Sequence, residues 1–431
     1  MLFALNNGIK SDMKKLNMIL TAVSFLRNDE SQEPYGISCL VDAFNTGNQK
    51  GDTIQPYIID CNKYWNNITE DYDIDWEKLA DEAATNIIAS GCNVAAFSCF
   101  AWCSLFCKLV LRKIKGHKNI EKIVLGGPTI VGGLAAMQNE YPQADLFIES
   151  YGEKVFANLR KYFSENNKYV IDLPDFSALQ SPYLSGRVVV SKGMTVRMEL
   201  RRGCCFQCTY CRYKDNTRKI YCIGNTDRWK REVMLFKRAE VKKINVLDAF
   251  FDEQGKNKQL GMDFLKYCKQ VGLEAEISLQ IRPECLDNDY LEIVSQMPNV
   301  ILEIGIQSLD EEVMRAIKRG NREKVLQTLD KVVKLGIRTE ITMIYGLPYQ
   351  TAKSFENDLY YLDDMGFETV NAFQLSIYNG TEMGETYMNY GLEVRRDNIG
   401  VLLVCDNPTH DIDLMKEIYR VFKERKMRNA A

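Results

Sequence analysis

Short apolar runs alternate with segments of helical periodicity along the first third of the chain. Continuous apolar runs of this length are typical of strands that are buried on both faces, as in a parallel sheet. The β/α alternation predicts a doubly wound, Rossmann-like domain over residues 1–165. Ligands of such sheets bind beyond the carboxyl ends of the strands, where Ser98, Gly126 and Gly127 fall. The predicted strands are 18–26, 54–60, 93–98, 122–125 and 146–149, and the predicted helices are 35–44, 76–90 and 102–114.

The same alternation resumes after residue 190, and six β/α units predict a partial (β/α)6 barrel of the TIM type over residues 191–385. Chemistry is expected at the carboxyl ends of its strands. The weakly periodic stretch 166–190 is predicted to be a linker, and 386–431 a small helical segment with a solvated basic tail. The predicted strands are 197–200, 244–251, 275–280, 300–306, 339–345 and 370–377, and the helices include 262–271, 322–335, 352–365 and 412–422.

Composition supports this division into domains, because 431 residues exceed what one ordinary hydrophobic core supports. A net charge of −3 gives no electrostatic argument for nucleic acid as a partner. The longest early apolar run, 16–26, is too short to span a bilayer, and it lacks a signal-peptide cleavage site. We therefore expect a cytoplasmic protein that does not bind membranes.

Four thiols lie within eight residues in the loop that follows the first barrel strand. Three of them, Cys204, Cys208 and Cys211, have the spacing Cys-x3-Cys-x2-Cys. Thiolates gathered this closely repel one another unless a soft metal takes up their charge. Three protein ligands leave one corner of an iron–sulfur cluster open for another ligand.

Other uses of these thiols are less favoured. A ferredoxin-like spacing that begins at Cys205 needs a cysteine where Asp215 stands. A structural zinc site needs four ligands, and only Cys222 is near. A disulfide is disfavoured in the cytoplasm.

A second group of thiols, Cys99, Cys103 and Cys107, recurs every fourth residue on one face of a predicted helix. They could bind a second cluster, or they could be buried as small apolar side chains, which is common for cysteine.

The cysteine loop, with Tyr210 before its last cysteine, resembles the signature of the radical S-adenosylmethionine (radical SAM) enzymes. Four later segments fall in the order in which that family places its cofactor contacts. They are Asp248-Ala249-Phe250, Glu303-Ile304-Gly305-Ile306-Gln307-Ser308, Tyr345-Gly346-Leu347-Pro348 and Asn379-Gly380-Thr381.

This resemblance implies that Cys204, Cys208 and Cys211 hold a 4Fe-4S cluster whose fourth iron binds S-adenosylmethionine. Reduction then yields a 5′-deoxyadenosyl radical, which removes hydrogen from an unactivated carbon. Each expected contact also has an ordinary alternative: an ion pair, a turn or, for Ser308, a helix-capping box with Glu311. The expected contacts to S-adenosylmethionine are Tyr210, Asp248, Arg282, Glu303, Gln307 and Gly346.

The N-terminal part is similar to the cobalamin-binding domain that precedes the barrel in one branch of the same family. The similarity rests on Ser98-x-Phe100, Gly126-Gly127-Pro128 and Tyr151-Gly152-Glu153. The loop that supplies a histidine ligand to cobalt in many such domains is absent, and His117 and His410 are not positioned to replace it. The resemblance thus implies cobalamin held without histidine ligation, or the fold without cobalamin.

Three functions remain open from the sequence. The first is cobalamin-dependent C-methylation of a small molecule or peptide, with flavodoxin or ferredoxin as electron donor. The second is cobalamin-free radical modification such as epimerisation, with Cys405, Cys222 or Cys285 as hydrogen donor. The third is a non-catalytic iron–sulfur redox sensor.

Overall fold

The structure is a computed structural model that describes residues 15–66, 71–213, 218–251, 258–406 and 410–430. The chain divides into two compact units. The first comprises Met1–Leu26 and Gln32–Asp175, and the second comprises Arg27–Ser31 and Phe176–Ala431. The stretch 166–190 is therefore divided between the two units.

The first unit contains a parallel sheet of six strands, flanked by helices. Its strands and hairpin segments are β1 Asn17–Ser24, β2 Thr53–Asp60, β3 Trp65–Asn66, β4 Asp71–Tyr72, β5 Val94–Ser98, β6 Lys122–Gly126, β7 Leu146–Ile148 and β8 Tyr169–Val170. Its helices are α1 Tyr35–Gly47, α2 Trp76–Ala89, α3 Ser104–Ile114, α4 Gly133–Glu140, α5 Glu153–Ala157 and α6 Leu159–Ser164.

The strand order of this sheet is β2-β1-β5-β6-β7-β8, with every neighbouring pair parallel. The order reverses between β1 and β5, and doubly wound sheets bind ligands at the carboxyl ends of strands at such a reversal. The central strands β1, β5 and β6 are almost wholly buried, as their continuous apolar runs predicted, whereas the edge strand β2 is partly exposed. Val94, Leu146 and Phe44 are among the fully buried core residues.

The second unit contains a separate parallel sheet of six strands, together with two small antiparallel sheets. Its strands are β9 Thr195–Met198, β10 Arg201–Arg202, β11 Tyr221–Cys222, β12 Lys243–Val246, β13 Glu276–Ile281, β14 Val300–Gln307, β15 Thr339–Tyr345, β16 Thr369–Gln374, β17 Ser376–Ile377, β18 Glu393–Arg396 and β19 Leu402–Cys405. Its helices are α7 Thr226–Arg238, α8 Lys258–Gln270, α9 Asn288–Ser295, α10 Glu311–Ala316, α11 Arg322–Lys334, α12 Ala352–Asp364, α13 Glu382–Thr386 and α14 Ile412–Ala430.

The main sheet has the sequential order β9-β12-β13-β14-β15-β16, and all its pairs are parallel. In the described residues β9 and β16 do not pair, so the sheet is a partial barrel, as predicted. Helices between the strands begin at side chains that accept a backbone N–H, such as Asp287 before α9 and Asn321 before α11. These caps fix where each strand ends and its helix begins.

Two strand predictions were too long. The strand predicted at 244–251 ends at Val246, because Asp248 turns to accept the backbone N–H groups of Leu200 and Arg201. The strand predicted at 370–377 is interrupted after Gln374, and β17 joins the antiparallel sheet β17-β19-β18.

The C-terminal segment is more ordered than predicted, because it contains β18 and β19 as well as a helix. The basic tail continues α14 and packs along α12. Lys426 Nζ lies 2.6 Å from Asp363 Oδ1, and Phe422 is buried. Lys423, Arg425 and Arg428 are exposed, so the prediction of a solvated basic tail is confirmed for these residues, whereas Lys426 is half-buried against α12.

Ser308 does not cap α10, contrary to the capping box suggested by its spacing to Glu311. Its hydroxyl donates to Asp358 Oδ2 at 2.9 Å, and Asp310 caps the helix instead.

Candidate functional site

The cysteine loop lies in the second unit, just after β9, where the barrel rule predicts chemistry. The antiparallel pair β10–β11 closes the loop by aligning Arg201 with Cys222. Gly203 begins the loop with φ +92°, and a Cβ there would lie 2.1 Å from Lys219 O. Only glycine fits this position, so the hairpin closes tightly beneath the thiols.

The three predicted cluster ligands lie inward in this loop. Cys208 is buried and Cys204 and Cys211 are half-buried, whereas Cys205 is exposed. Burial raises the pKa of Cys204 to about 12, and the neighbouring Cys211 and Cys208 add to this. Without a metal, Cys204 would stay protonated.

The spacing of the sulfur atoms indicates which kind of metal centre fits. The described residues contain one set of three potential metal ligands whose ligand atoms all lie within 4.8 Å of one another. These atoms are the Sγ atoms of Cys99, Cys103 and Cys107. At least one Sγ pair of the 204–211 loop therefore exceeds this limit. Thiolates on one tetrahedral ion lie about 3.8 Å apart, given metal–sulfur bonds of about 2.3 Å. In an iron–sulfur cube each thiolate binds a different iron, so a cube does not require its three thiolates to lie as close as ligands of a single ion.

Two arginines surround the buried ligand Cys208. Arg282 Nη1 lies 3.1 Å from Cys208 Sγ, and Arg319 Nη1 lies 3.8 Å from it. The Arg282 guanidinium also stacks over the Phe206 ring at 3.7 Å. These donors favour negative charge at the sulfur, as a cluster ligand requires.

A carboxylate holds Arg282 in place and acts on the charge of Arg319, whose Nη2 donates to Gly305 O. Glu284 accepts hydrogen bonds from Arg282 Nε and Nη2, and Gly320 leaves the space in which this carboxylate lies. Burial acts to raise the pKa of Glu284, but the charges of Arg319 and Arg282 outweigh it and lower the pKa. The carboxylate is therefore ionised at neutral pH.

Gln307 lies at an irregularity of β14, where the register with β15 shifts between Gly305 and Gln307. It has φ +72°, which is strained for a residue other than glycine, and it is buried. Within the described part of the chain, its Oε1 has no hydrogen-bond partner. A buried acceptor in a strained backbone fits a ligand contact, which supports the predicted role of Gln307.

Asp248 and Glu303 have protein partners. Asp248 is 1% exposed, and its oxygens accept the N–H groups of Leu200 and Arg201 and the Arg201 side chain at 2.9 Å. We therefore interpret Asp248 as one half of a buried ion pair rather than as a cofactor ligand. Glu303 accepts the Ser278 hydroxyl and is half-buried, so it keeps capacity for a ligand.

The remaining predicted positions lie as follows. Tyr210 is half-buried within the loop, and burial raises the pKa of its phenol. Gly346 has φ +83° after β15, a backbone conformation that favours glycine, and a Cβ there would lie 3.0 Å from Cδ1 of Ile412, which would have to shift slightly. Cys405 ends β19 opposite Glu393 and is half-buried.

The other two cysteines that were considered as hydrogen donors also have described positions. Cys222 is exposed in β11, and Cys285 follows Arg282 in a short helical turn.

In the first unit, Ser98 and Gly126 end adjacent strands and are register partners. An alanine at Gly126 would make only ordinary contact with Ile148, so packing does not require glycine there. Gly127 has φ +108°, and its Cβ would lie 2.5 Å from Cys99 O. Position 127 therefore requires glycine, because the backbone at Cys99, just after β5, lies too close for a side chain. At Gly126 the missing side chain leaves space at the edge of the sheet.

Aromatic side chains gather at the carboxyl ends of the same strands. Trp102 stacks on Phe100 at 4.4 Å and donates to Val23 O, and Phe25 contacts Trp102 edge-on. His117 lies after α3, before β6 begins, and so belongs to the opposite edge of the sheet. The described part of this carboxyl edge therefore offers a flat apolar surface and no histidine.

Sequence reasoning missed Arg319, Glu284 and Phe206. Arg319 and Glu284 have no spacing that connects them to the cysteines, because tertiary packing alone brings them there. Phe206 lies within the cysteine loop, but nothing in the sequence indicates that Arg282 stacks over its ring. The sequence does contain one signal, the glycine after Arg319, since Gly320 makes room for Glu284.

Comparison with known proteins agrees with this geometry. Residues 198–362 match the sequence model of the Radical SAM superfamily. The chain is 22% identical over 337 residues to the cobalamin-dependent radical SAM methyltransferase TokK of Streptomyces tokunonensis, covering 70% of this chain and 49% of TokK. It is also 22% identical over 289 residues to a tRNA-2-methylthio-N(6)-dimethylallyladenosine synthase of Clostridium botulinum, covering 63% of this chain and 62% of that protein. The chain thus spans half to two thirds of the length of these curated relatives.

The fold is similar to that of the radical S-adenosylmethionine methyltransferase TsrM from Kitasatospora setae. The TM-score is 0.63 at 11% identity, over 89% of this chain and 79% of TsrM, in a structure with tryptophan substrate and a SAM analogue bound. A second TsrM structure with cobalamin and a [4Fe-4S] cluster bound gives a TM-score of 0.61. The similarity confirms the predicted fold, a Rossmann-like domain followed by a radical SAM barrel.

The helices of the described residues bear on whether the chain could cross a bilayer. None of them combines the length and apolar character that crossing a membrane requires.

Proposed function

Given that the chain is a radical SAM protein with an N-terminal cobalamin-binding-like domain, we propose that it is a cobalamin-dependent C-methyltransferase. The observation that carries this proposal is that one chain contains both a cysteine loop for a cluster and a parallel sheet of the type that binds cobalamin. A loop of three inward cysteines follows the first barrel strand, and a parallel sheet ends in an open carboxyl edge. Its substrate would be a small molecule or a peptide.

In the second unit, Cys204, Cys208 and Cys211 would hold a 4Fe-4S cluster, which when bound supplies the electron that cleaves S-adenosylmethionine to a 5′-deoxyadenosyl radical. Arg282 and Arg319 stabilise the ligand Cys208.

Gln307 and Glu303 would bind S-adenosylmethionine. Gln307 presents a buried Oε1 that has no partner among the described residues, and Glu303 is a half-buried acceptor at the same strand. An amide and a carboxylate oxygen suit the ammonium and hydroxyl donors of that cofactor. Tyr210 and Gly346 would lie beside its adenine.

In the first unit, cobalamin would lie at the carboxyl edge beside Ser98, Gly126 and Gly127, and when bound it carries the methyl group. The stacked Phe100 and Trp102 offer an apolar face there. Because the described edge contains no histidine, the cofactor would be held without histidine ligation.

Cobalamin binding is the direct test of this proposal. The protein is purified anaerobically, mixed with hydroxocobalamin and desalted, and its absorption spectrum is recorded. We expect retained cobalamin in the wild type and in Gly36→Gln, which changes an exposed glycine in α1 with open space around it. We expect loss of cobalamin in Gly126→Gln, whose side chain would enter the sheet edge. Equal retention by Gly126→Gln would contradict the assignment of this edge.

The absence of histidine from that edge, as far as the structure describes it, favours a second candidate, cobalamin-free epimerisation in which Cys405, Cys222 or Cys285 returns a hydrogen atom. The two candidates differ in what reaches the product carbon. Methyl transfer would label it from S-adenosylmethionine that carries a deuterated methyl group. Epimerisation in D2O would deliver deuterium from the exchangeable thiol. We place either reaction in the cytoplasm, with flavodoxin or ferredoxin as electron donor.

A further inference from the structure

Three buried thiols in the first unit lie outside the site described above. Cys99 follows β5, Cys103 ends the short helical turn Ala101–Cys103, and Cys107 lies in α3. Their exposed fractions are 0%, 0% and 2%, and their Sγ atoms all lie within 4.8 Å of one another. This group is called the buried thiol trio below.

Regular helix geometry does not produce this convergence. Residues eight positions apart in a straight α-helix are separated by about 12 Å along the axis. Cys99 instead lies in the connection between β5 and α3, and Cys103 directly precedes α3 with φ −122° and ψ 11°, so this connection brings the three sulfurs together. The path of the backbone is therefore arranged so that three sulfurs meet.

Ordinary burial of cysteine does not require such a meeting. Cys39, Cys61 and Cys92 are also buried in the first unit, and among the described residues none of them belongs to a group of this kind. The chain around the trio is also firmly held. Thr129 donates to Cys99 O at 2.9 Å, and Gly126 O accepts the Cys99 N–H at 2.7 Å.

The mutual spacing selects the kind of centre. Three thiolates on one tetrahedral ion lie about 3.8 Å apart, within the limit that the trio meets. The cluster loop at 204–211 does not meet that limit, and it matches the family that uses a cube. The trio is therefore too compact for a second cube of the same type, which was one expectation for these residues.

From this geometry we propose that Cys99, Cys103 and Cys107 bind a single thiophilic metal ion, Zn²⁺, in the first unit. Thiolates are the preferred ligands of such ions, and binding releases the thiol protons. The hydroxyl of Tyr141 lies 3.4 Å from Cys99 Sγ and is held by Ser104 Oγ at 2.9 Å. It can donate a hydrogen bond to the Cys99 thiolate, and the fourth position on the ion is left to a ligand such as water.

The test measures zinc, iron and labile sulfide in the full chain after growth with zinc, EDTA treatment and desalting. The background is Cys204→Ala/Cys208→Ala/Cys211→Ala, so zinc trapped in an empty cluster loop does not contribute. We expect one equivalent of zinc per chain in this background and with Cys92→Ala added. With Cys107→Ala added, zinc should fall at least tenfold. Cys92 is buried in the same unit, so its variant controls for loss of packing.

X-ray absorption at the zinc edge of the triple-alanine background reports the ligands of this site alone. It should show three sulfur neighbours at about 2.3 Å. Zinc that stays at trace level in the triple-alanine background would overturn the proposal. Iron and sulfide that depend on Cys107 would also overturn it, in favour of a second cluster. Neither result bears on S-adenosylmethionine cleavage in the second unit, so the two proposals can fail separately.

Discussion

Two guanidinium groups lie near the sulfur of Cys208, one of the predicted cluster ligands. Arg282 Nη1 is 3.1 Å from this sulfur and Arg319 Nη1 is 3.8 Å from it. Hydrogen bonds and positive charge near a cluster thiolate favour the reduced, more negative form, and so they raise the reduction potential. Arg319 adds to this although it was not evident in the sequence. A hydrogen bond from Arg319 Nη2 to Gly305 O holds it there, and the charge of Glu284 compensates its own.

Arg319→Gln should therefore lower the reduction potential of the reconstituted cluster by tens of millivolts, where about 59 mV corresponds to a tenfold change in a one-electron equilibrium. The measurement is a potentiometric titration followed by electron paramagnetic resonance. Arg338→Gln is the control, because Arg338 forms an exposed ion pair with Glu276. An unchanged potential in Arg319→Gln would show that this arginine does not act on the cluster.

The buried carboxyl group of Asp358 makes the stability of the folded protein depend on pH. Burial raises the pKa of Asp358 to about 6 from an ordinary value of 3.8, although the Leu309 N–H and the Ser308 hydroxyl donate to it. The folded state thus binds the proton more tightly than the unfolded state. This contribution to stability is fully present below pH 3.8 and is lost as the pH rises through about 6.

Asp358→Asn should remove this dependence. Between about pH 5 and pH 7.5 the wild type should lose about 1.4 kcal/mol more of its free energy of unfolding than the variant does. Urea unfolding of the cluster-free protein at both pH values measures the difference. A pH profile identical in both proteins would contradict the raised pKa.

At the scale of elements, the hairpin β10–β11 sets the shape of the cysteine loop. Gly203 and Gly193 both have positive φ, but they differ in the space around them. A Cβ at Gly203 would lie 2.1 Å from Lys219 O, whereas a Cβ at Gly193 would meet nothing within 4 Å. An alanine at either position costs about 1–2 kcal/mol for its backbone conformation. At Gly203 the hairpin must also open.

Gly203→Ala should therefore reconstitute with much less iron and sulfide than the wild type, whereas Gly193→Ala should reconstitute normally and lose only some stability. Chemical assay of iron and sulfide, with thermal unfolding alongside, separates the two effects. Equal cluster content in both variants would mean that the hairpin does not position the thiols.

The elements also show what the sequence could and could not predict. Strands buried on both faces were predictable because their continuous apolar runs are local signals, as in β1 and β5. The strands β18 and β8 were missed, because Glu393–Arg396 is charged and Tyr169–Val170 has two residues. The cysteine loop was also predictable from a local signal, because its thiols are close in sequence.

Residues that act through tertiary contact were not predictable. The convergence of Cys99 with Cys107 depends on the connection between β5 and α3, which no periodicity reports. Asp248 follows a strand, as a cofactor contact would, and yet it pairs with Arg201, because burial makes an ion pair the only stable state for both charges.

At the scale of the whole molecule, two parallel sheets each present a carboxyl edge, and each edge has its own chemistry. The first offers space and aromatic faces at Gly126 and Trp102, and the second offers three thiols and a buried amide oxygen. The account rests on the second, because without a cluster no substrate radical forms.

The most direct measurement is 5′-deoxyadenosine produced from S-adenosylmethionine by anaerobically reconstituted protein with dithionite. We predict formation by the wild type and by Cys205→Ala, whose thiol is exposed, and at least a hundredfold less with Cys208→Ala. If Cys208→Ala forms 5′-deoxyadenosine at the wild-type rate, or the wild type forms none, the assignment of Cys204, Cys208 and Cys211 as the catalytic cluster site is contradicted.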